Sequence, residues 1–369
     1  MPFNIYCIQP GGGGGMTLEL VWGKVRRWWL RAFCPKYVAE MKARLKGDRA
    51  NIPVDVIDSR DLKYYRNVAN CWVEPADDLY AWRKNIPMAT DGWFELLIFA
   101  LPPFLLAHLF FWYLGGWWNL ITVPLVVLGL FVISFFRDPH RLIPPDADAI
   151  VSPADGKVVD VTEVVHKGVA EEPIVRIGIF LSVFNVHVNR APLPGRVLKL
   201  KYQQGQFLDA RSPDASLQNE NLEVVFAEAS APYRRFAVRQ VAGAIARRIV
   251  CELRPDQNVE RGQRYGMIKF GSRTELFLPK SAVALEVQIG QKVKGGSTIL
   301  GRWKVATPDD FRPKPPKQAV APKGPPPVEE EHRAPPPISV ARVPPTYVPP
   351  ASASAPPKPP AEGYGLASS

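Results

Sequence analysis

Two long apolar stretches stand out in the hydropathy of the chain. Residues 93–114 are apolar apart from Glu95 and His108, and residues 117–136 apart from Asn119, Thr122 and Ser134. About 20 apolar residues cross a bilayer as a helix, so each stretch predicts a spanning helix. Gly115-Gly116 leaves only a tight turn between them, and Trp112, Tyr113, Trp117 and Trp118 gather there like an interfacial aromatic belt. Arg83 and Lys84 precede the pair, and Arg137 and Arg141 follow it. Cations at both outer ends put those ends on the cytoplasmic side. The expectation for 93–136 is therefore a hydrophobic membrane hairpin. Pro102, Pro103 and Pro124 leave a re-entrant path open, and two buried core helices are the alternative.

Beyond the hairpin the period changes. Residues 174–181, 184–189, 222–227, 236–241, 246–252, 265–270, 275–278 and 283–289 are short runs rich in β-branched and aromatic residues, separated by turn residues. Many short strands at this spacing predict a mainly β domain over 137–305, a β-sandwich or partly closed barrel, with one helical turn near 212–217. Residues 1–20 are expected to be disordered. Residues 21–90 form a basic N-terminal extension, expected to be partly helical. Within it, Trp22, Trp28, Trp29 and Phe33 sit among many Lys and Arg, a pattern suited to lying on a membrane surface or packing on a partner. Residues 306–369 carry about half of the 39 prolines and cannot bury a core, so a disordered Pro-rich tail is expected.

Charge narrows the partners. The net charge of +11 suits an anionic surface. No zinc-finger spacing and no RNA-reading aromatic signature is present, which favours lipid over nucleic acid. Cys7, Cys34, Cys71 and Cys251 are scattered without a CxxC pair, so free thiols are expected and no metal site. No cleavable signal peptide is evident. The run Gly11 to Gly15 lacks a phosphate-binding spacing, and Met16 after it is a second candidate start.

Candidate chemistry centres on three places. In Gly271-Ser272, between two strand-like runs, glycine allows a strained turn and the next hydroxyl can approach the carbonyl of its own preceding peptide bond. The same pair also makes plain turns. His187, in Phe184-Asn185-Val186-His187-Val188-Asn189, is placed by strand alternation on one polar face with Asn185 and Asn189. Asp155 lies in the turn Pro153-Ala154-Asp155-Gly156; in the functional reading it orients the His187 ring and stabilises its protonated form, as a base that activates serine requires. Asp138 and Asp160 are alternatives to it. Lys269 and Arg273 flank Gly271-Ser272 and are read equally well as surface charges or as phosphate contacts.

The segments 151–158, 184–192, Phe136-Arg137-Asp138-Pro139 and Gly271-Ser272-Arg273 together resemble the short bacterial type of the phosphatidylserine decarboxylase family, over about residues 93–305. The resemblance implies that Ser272, with His187 as base, attacks the Gly271 carbonyl, and that cleavage leaves chains 1–271 and 272–369 as a heterodimer. The second chain would begin with a self-derived pyruvoyl group. That group would take the amine of phosphatidylserine as a Schiff base and absorb the charge left by CO2 loss, giving phosphatidylethanolamine with no bound cofactor. The resemblance places the enzyme at the inner membrane with its catalytic domain on the cytoplasmic side, and is compatible with a higher oligomer. Two other readings stand beside it. One is a membrane-tethered serine hydrolase using Asp155, His187 and Ser272, although Gly-x-Ser-x-Gly is absent. The other is a non-enzymatic, lipoyl-like β-sandwich adaptor, suggested by the turns at 154–159 and 290–296.

Overall fold

The structure, a computed structural model, describes residues 13–49, 52, 54–62, 71–212, 214–244, 248–269 and 271–304. The Pro-rich tail and residues 1–12 lie outside the described residues. Helix α1, Gly13–Phe33, starts inside the stretch expected to lack structure. It is held from outside its own sequence: Glu19 pairs with Arg248, and Arg26 and Arg27 pair with Asp61. Its amphipathicity is inverted. These charges face the body of the protein, while Val21, Trp22, Val25, Trp28, Trp29 and Phe33 are exposed. Cys34 stops α1, because the residue before Pro35 is pushed out of helical backbone; it sits at φ −131°, ψ 51°, and Pro35 opens α2, Pro35–Arg44. A two-stranded antiparallel ribbon, Leu45–Gly47 with Cys71–Val73, closes this extension.

The apolar stretches form two antiparallel helices, α3, Trp93–Leu109, and α4, Asn119–Phe135. The helical segments Thr90–Leu114 and Gly116–Phe135 are each long and apolar enough to cross a membrane, and only 22% and 17% of their most apolar windows are buried. A core helix would be mostly covered, so these are not core helices. Gly115 and Gly116 turn the chain at φ 59° and 55°, backbone that favours glycine. At the base the two ends are tied by backbone: Ala89 N–H donates to Phe136 O (2.7 Å) and Asp138 N–H to Pro87 O (2.9 Å).

The remainder is mainly β. Its strands are β1 Ala149–Val151, β2 Gly156–Val164, β3 Ile174–Leu181, β4 Val188–Arg190, β5 Gly195–Gln203, β6 Asn221–Glu228 and β7 Arg235–Ala242, followed by β8 Arg248–Cys251, β9 Asn258–Val259, β10 Arg264–Lys269, β11 Ser272–Pro279, β12 Val283–Leu285, β13 Lys292–Val293 and β14 Ile299–Trp303. An eight-stranded sheet has the order β9-β5-β6-β7-β11-β3-β2-β13, and three-stranded sheets run β8-β10-β4 and β12-β14-β1. All of these pairings are antiparallel. Leu222, Val224, Phe226, Phe236 and Val238 of the large sheet share one core with Ile249, Tyr265 and Ile268 of the first small sheet and Leu300 of the second. Strand β11 lies inside the large sheet, and every residue along it is buried.

Two departures from the sequence expectation have local causes. Strand β5 was not predicted because a register shift between Val197 and Lys199 breaks its period of two. Residues 184–187 are not strand. Asn185 Oδ1 accepts from both the backbone and the hydroxyl of Ser182 (2.9 and 2.7 Å), and Asn185 N–H returns to Ser182 O (2.9 Å), which turns the chain there.

The core makes a direct prediction. Phe226 and Phe236 are opposite each other across β6 and β7 and stack at 4.9 Å. Phe226→Ala is expected to destabilise the fold by about 3–5 kcal/mol, read as a lowered thermal midpoint in detergent. A midpoint equal to that of the unsubstituted protein would place the core elsewhere.

Candidate active site

The site forms where the sharp backbone at Gly271 meets the turn that ends in His187. Gly271 has φ 67°, and its N–H donates to His187 Nε2 at 3.2 Å. On the other side of the ring, Nδ1 lies 2.9 Å from the carbonyl of Asn185. A carbonyl only accepts and an amide N–H only donates, so Nδ1 carries the hydrogen and Nε2 presents its lone pair. The ring is fully buried and stacks obliquely on Phe135, the last residue of α4, at 4.3 Å. Burial is the main cause that lowers its pKa to about 4, the Asn185 carbonyl opposes that shift, and nearby Arg137 adds to it. At neutral pH His187 is thus a dry, uncharged base with one fixed tautomer.

Ser272 begins β11, opposite Leu181 of β3 and Ala242 of β7. Its Oγ is buried and has no hydrogen-bond partner among the described residues, which is costly for a hydroxyl unless function uses it. A polar chain across the core holds the neighbouring strands. Asn189 Nδ2 donates to Thr274 Oγ1 (3.0 Å), and Gln240 Nε2 donates to Asn189 Oδ1 (2.8 Å). This fixes β4, and with it the His187 turn, against β11.

The structure therefore brings together Gly271, Ser272 and His187, but it corrects the role given to Asp155. The Asp155 carboxylate binds Arg141 through both oxygens (2.9 and 2.8 Å) and accepts from Gly295 N–H (2.7 Å). It is committed to a loop junction with Arg141 and Gly295, and His187 Nδ1 bonds to the Asn185 carbonyl. The alternative acids do not replace it. Asp138 pairs with Arg190 and Arg264, and Asp160 with Arg176 and Arg273. No carboxylate among the described residues forms an ion pair with His187. Sequence reasoning missed the Asn185 carbonyl because a backbone acceptor leaves no trace in residue type. It missed Phe135 because the apolar pattern only marked it as helix.

Lys269 and Arg273 are internal. Arg273 pairs with Asp160 (2.9 Å) and with the fully buried Glu275 (2.8 Å). Lys269 Nζ donates to Asp91 O (2.9 Å) and to the Glu95 carboxylate of α3. Neither is a surface charge free to meet a phosphate. Lys269 clamps the strand leading into the site onto the base of the apolar hairpin.

Comparison with known proteins bears on the family. The profile of the phosphatidylserine decarboxylase family matches residues 128–301, a span that holds Asp155, His187, Gly271 and Ser272. The phosphatidylserine decarboxylase proenzyme of Rhodopirellula baltica is 42% identical over 248 residues, which are 66% of this chain and 99% of the relative. The proenzyme of Carboxydothermus hydrogenoformans is 43% identical over 222 residues, 60% and 99% of the two chains, and that of Geotalea uraniireducens 43% over 218 residues, 59% and 97%. The chain belongs to the phosphatidylserine decarboxylase family. Family membership makes it an enzyme and sets aside the adaptor and serine-hydrolase readings. As a phosphatidylserine decarboxylase it carries its Gly-Ser-Arg motif at the entry of the most enclosed strand of the sheet.

The buried histidine should be visible in stability. Unfolded, the ring takes a proton near pH 6.5; folded, it does so only near 4. Between these values the unfolded chain binds more protons, so stability is lost as pH falls through 6.5 towards 4, by up to roughly 3 kcal/mol. His187→Gln should flatten this part of the stability profile, measured by thermal melting between pH 4 and 7. An unchanged slope would place the titrating group elsewhere.

Proposed function

We propose that the chain cuts its own backbone between Gly271 and Ser272, and that the pyruvoyl group so formed at position 272 decarboxylates phosphatidylserine to phosphatidylethanolamine at a membrane surface. The observation that carries this reading is the buried, unpartnered Ser272 Oγ beside a glycine at φ 67°, with the lone pair of neutral His187 resting on the same glycine.

In the cutting step His187 Nε2 exchanges the Gly271 N–H for the Ser272 hydroxyl and takes its proton. The Ser272 oxygen bonds to the Gly271 carbonyl carbon, the C–N bond breaks, and the peptide becomes an ester with a free amine on Ser272. Loss of the Cα proton then breaks the ester Cβ–O bond and frees the Gly271 carboxylate. The dehydroalanine left behind adds water and releases ammonia, which gives the pyruvoyl carbonyl. The low pKa of His187 keeps Nε2 free of a proton at neutral pH, and the instability of the imidazolium in this dry setting favours return of any proton it takes. Asp155 acts here as a positioning residue. It joins Arg141, just beyond α4, to the turn whose Pro153 carbonyl accepts the N–H of Arg190 in β4 (2.9 Å).

The residues present fit such a group. Position 272 is enclosed, and a base holds the amide of the residue before it. Once formed, the group supplies an electrophilic carbonyl that binds a substrate amine and absorbs the electrons freed with CO2. The two products of cutting, 1–271 and 272–369, stay together as one heterodimer, because β11 remains paired along its length with β3 and along most of it with β7.

The membrane part of the reading rests on the hairpin. Its base touches the site through Phe135 on His187, Phe131 on Phe184 (5.8 Å), and Arg137 donating to Phe184 O (2.8 Å). Phe184 itself is 72% exposed. A lipid substrate then meets the site without leaving its leaflet. The outward apolar face of α1, rich in Trp, suits the same interface, and the cations flanking the hairpin favour the cytoplasmic side of the inner membrane.

The test is CO2 release from carboxyl-labelled phosphatidylserine in mixed micelles. The purified enzyme should release it and Ser272→Ala should not. Equal release by both would remove the proposal. Carbonate-washed membranes from expressing cells should retain the protein, and full recovery in the wash would remove the spanning hairpin.

A further inference from the structure

A second glycine sits against the bond that the proposed cleavage breaks. Strand β7 ends at Ala242, which pairs with Ser272, and just past the end of that ladder Gly243 lies against Gly271. A Cβ built on Gly243 would lie 2.6 Å from Gly271 O, 3.3 Å from Gly271 C and 3.2 Å from the Ala210 Cβ. The first distance is shorter than real Cβ atoms tolerate, and the atom it meets is backbone, not the mobile tip of a side chain. The two facing glycines are needed for opposite reasons. Gly271 has open space around its missing Cβ and a φ of 67° that disfavours any other residue. Gly243 lies outside the left-handed region, so its backbone accepts a side chain and only the space forbids one.

We propose that Gly243 is the seat of the Gly271 carbonyl: bare backbone at 243 lets that carbonyl lie where the Ser272 hydroxyl reaches it, so Gly243 is a positioning residue for self-cleavage. This rests on the self-cleavage reading above. The carbonyl lies against Gly243, and the amide of the same residue is bound to His187. A methyl at 243 pushes the carbonyl off this line, while His187 and Ser272 keep their chemistry. A displacement of about 1 Å at a reacting centre costs on the order of 100-fold in rate.

The experiment follows cutting of freshly made chain by gel and mass, in the unsubstituted protein, Ser272→Ala and Gly243→Ala, each with and without neutral hydroxylamine, which splits an ester but not a peptide. Gly243→Ala is expected to melt near the unsubstituted protein, to be cut about 100-fold more slowly, and to gain nothing from hydroxylamine, because the ester does not form. Cutting at the unsubstituted rate, or slow cutting that hydroxylamine restores, would overturn the proposal, since the carbonyl would then be attacked normally. If the unsubstituted chain itself stays whole, the self-cleavage reading fails instead. Where Gly243→Ala does not fold, Ala210→Gly removes the second obstacle to the new methyl. The pair Ala210→Gly/Gly243→Ala should then be cut more slowly than Ala210→Gly alone, and equal rates would again overturn the assignment.

Discussion

One neutral imidazole, held between an acceptor and a donor that are both backbone, is the constraint on which the rest depends. The Asn185 carbonyl fixes the hydrogen on Nδ1, and the Gly271 amide occupies the lone pair of Nε2. Neither contact needs a charged partner, and burial makes a charged ring unfavourable. This differs from a triad in which a carboxylate shares the ring and stabilises its cation. Here the surroundings resist the cation, so in the proposed cleavage a proton taken from Ser272 would be passed on readily. The remainder of the domain keeps this small arrangement dry and in register. Strand β11 lies between β3 and β7, and the Thr274–Asn189–Gln240 chain locks the histidine-bearing segment to it.

The apolar hairpin is tied to the same point by three different kinds of contact. Phe135 covers the imidazole, Arg137 holds the carbonyl of Phe184, and Lys269 reaches from β10 to Asp91 and Glu95 at the start of α3. Burial lowers the pKa of Lys269, and Glu95 opposes that shift. A buried ion pair of this kind is poor evidence of added stability, because desolvation offsets much of the attraction. It does fix geometry, since removing either partner leaves an uncompensated charge. The strand entering the Gly271 turn and the base of the hairpin therefore form a single junction, consistent with a site built to work at a lipid surface.

Much of this was legible in the sequence, and what was hidden has physical causes. The hairpin was readable because length, apolarity and the Gly115-Gly116 turn are local properties. Ser272 and His187 could be singled out as candidates because their motifs are contiguous. Asp155 was expected to hold His187 because a carboxylate on an imidazole is the common arrangement, and only three dimensions show Arg141 and Gly295 taking its oxygens. Strand β5 was lost to a bulge, and residues 184–187 were taken for strand because Asn185 makes its turn through a side chain. The α1 segment was read only as a basic, aromatic-rich stretch suited to a membrane surface or to packing on a partner. Its inward charges depend on Asp61 and Arg248, the latter more than 200 residues away, which no window on the helix reveals.

The central claim is that the bond between Gly271 and Ser272 does not survive in the mature enzyme. The most direct measurement is the intact mass of the purified protein under denaturing conditions. Two species are expected, one ending at Gly271, and the other starting at position 272 with a mass that fits a pyruvoyl group in place of serine. A single species with the mass of all 369 residues, with serine intact at 272, would contradict the account.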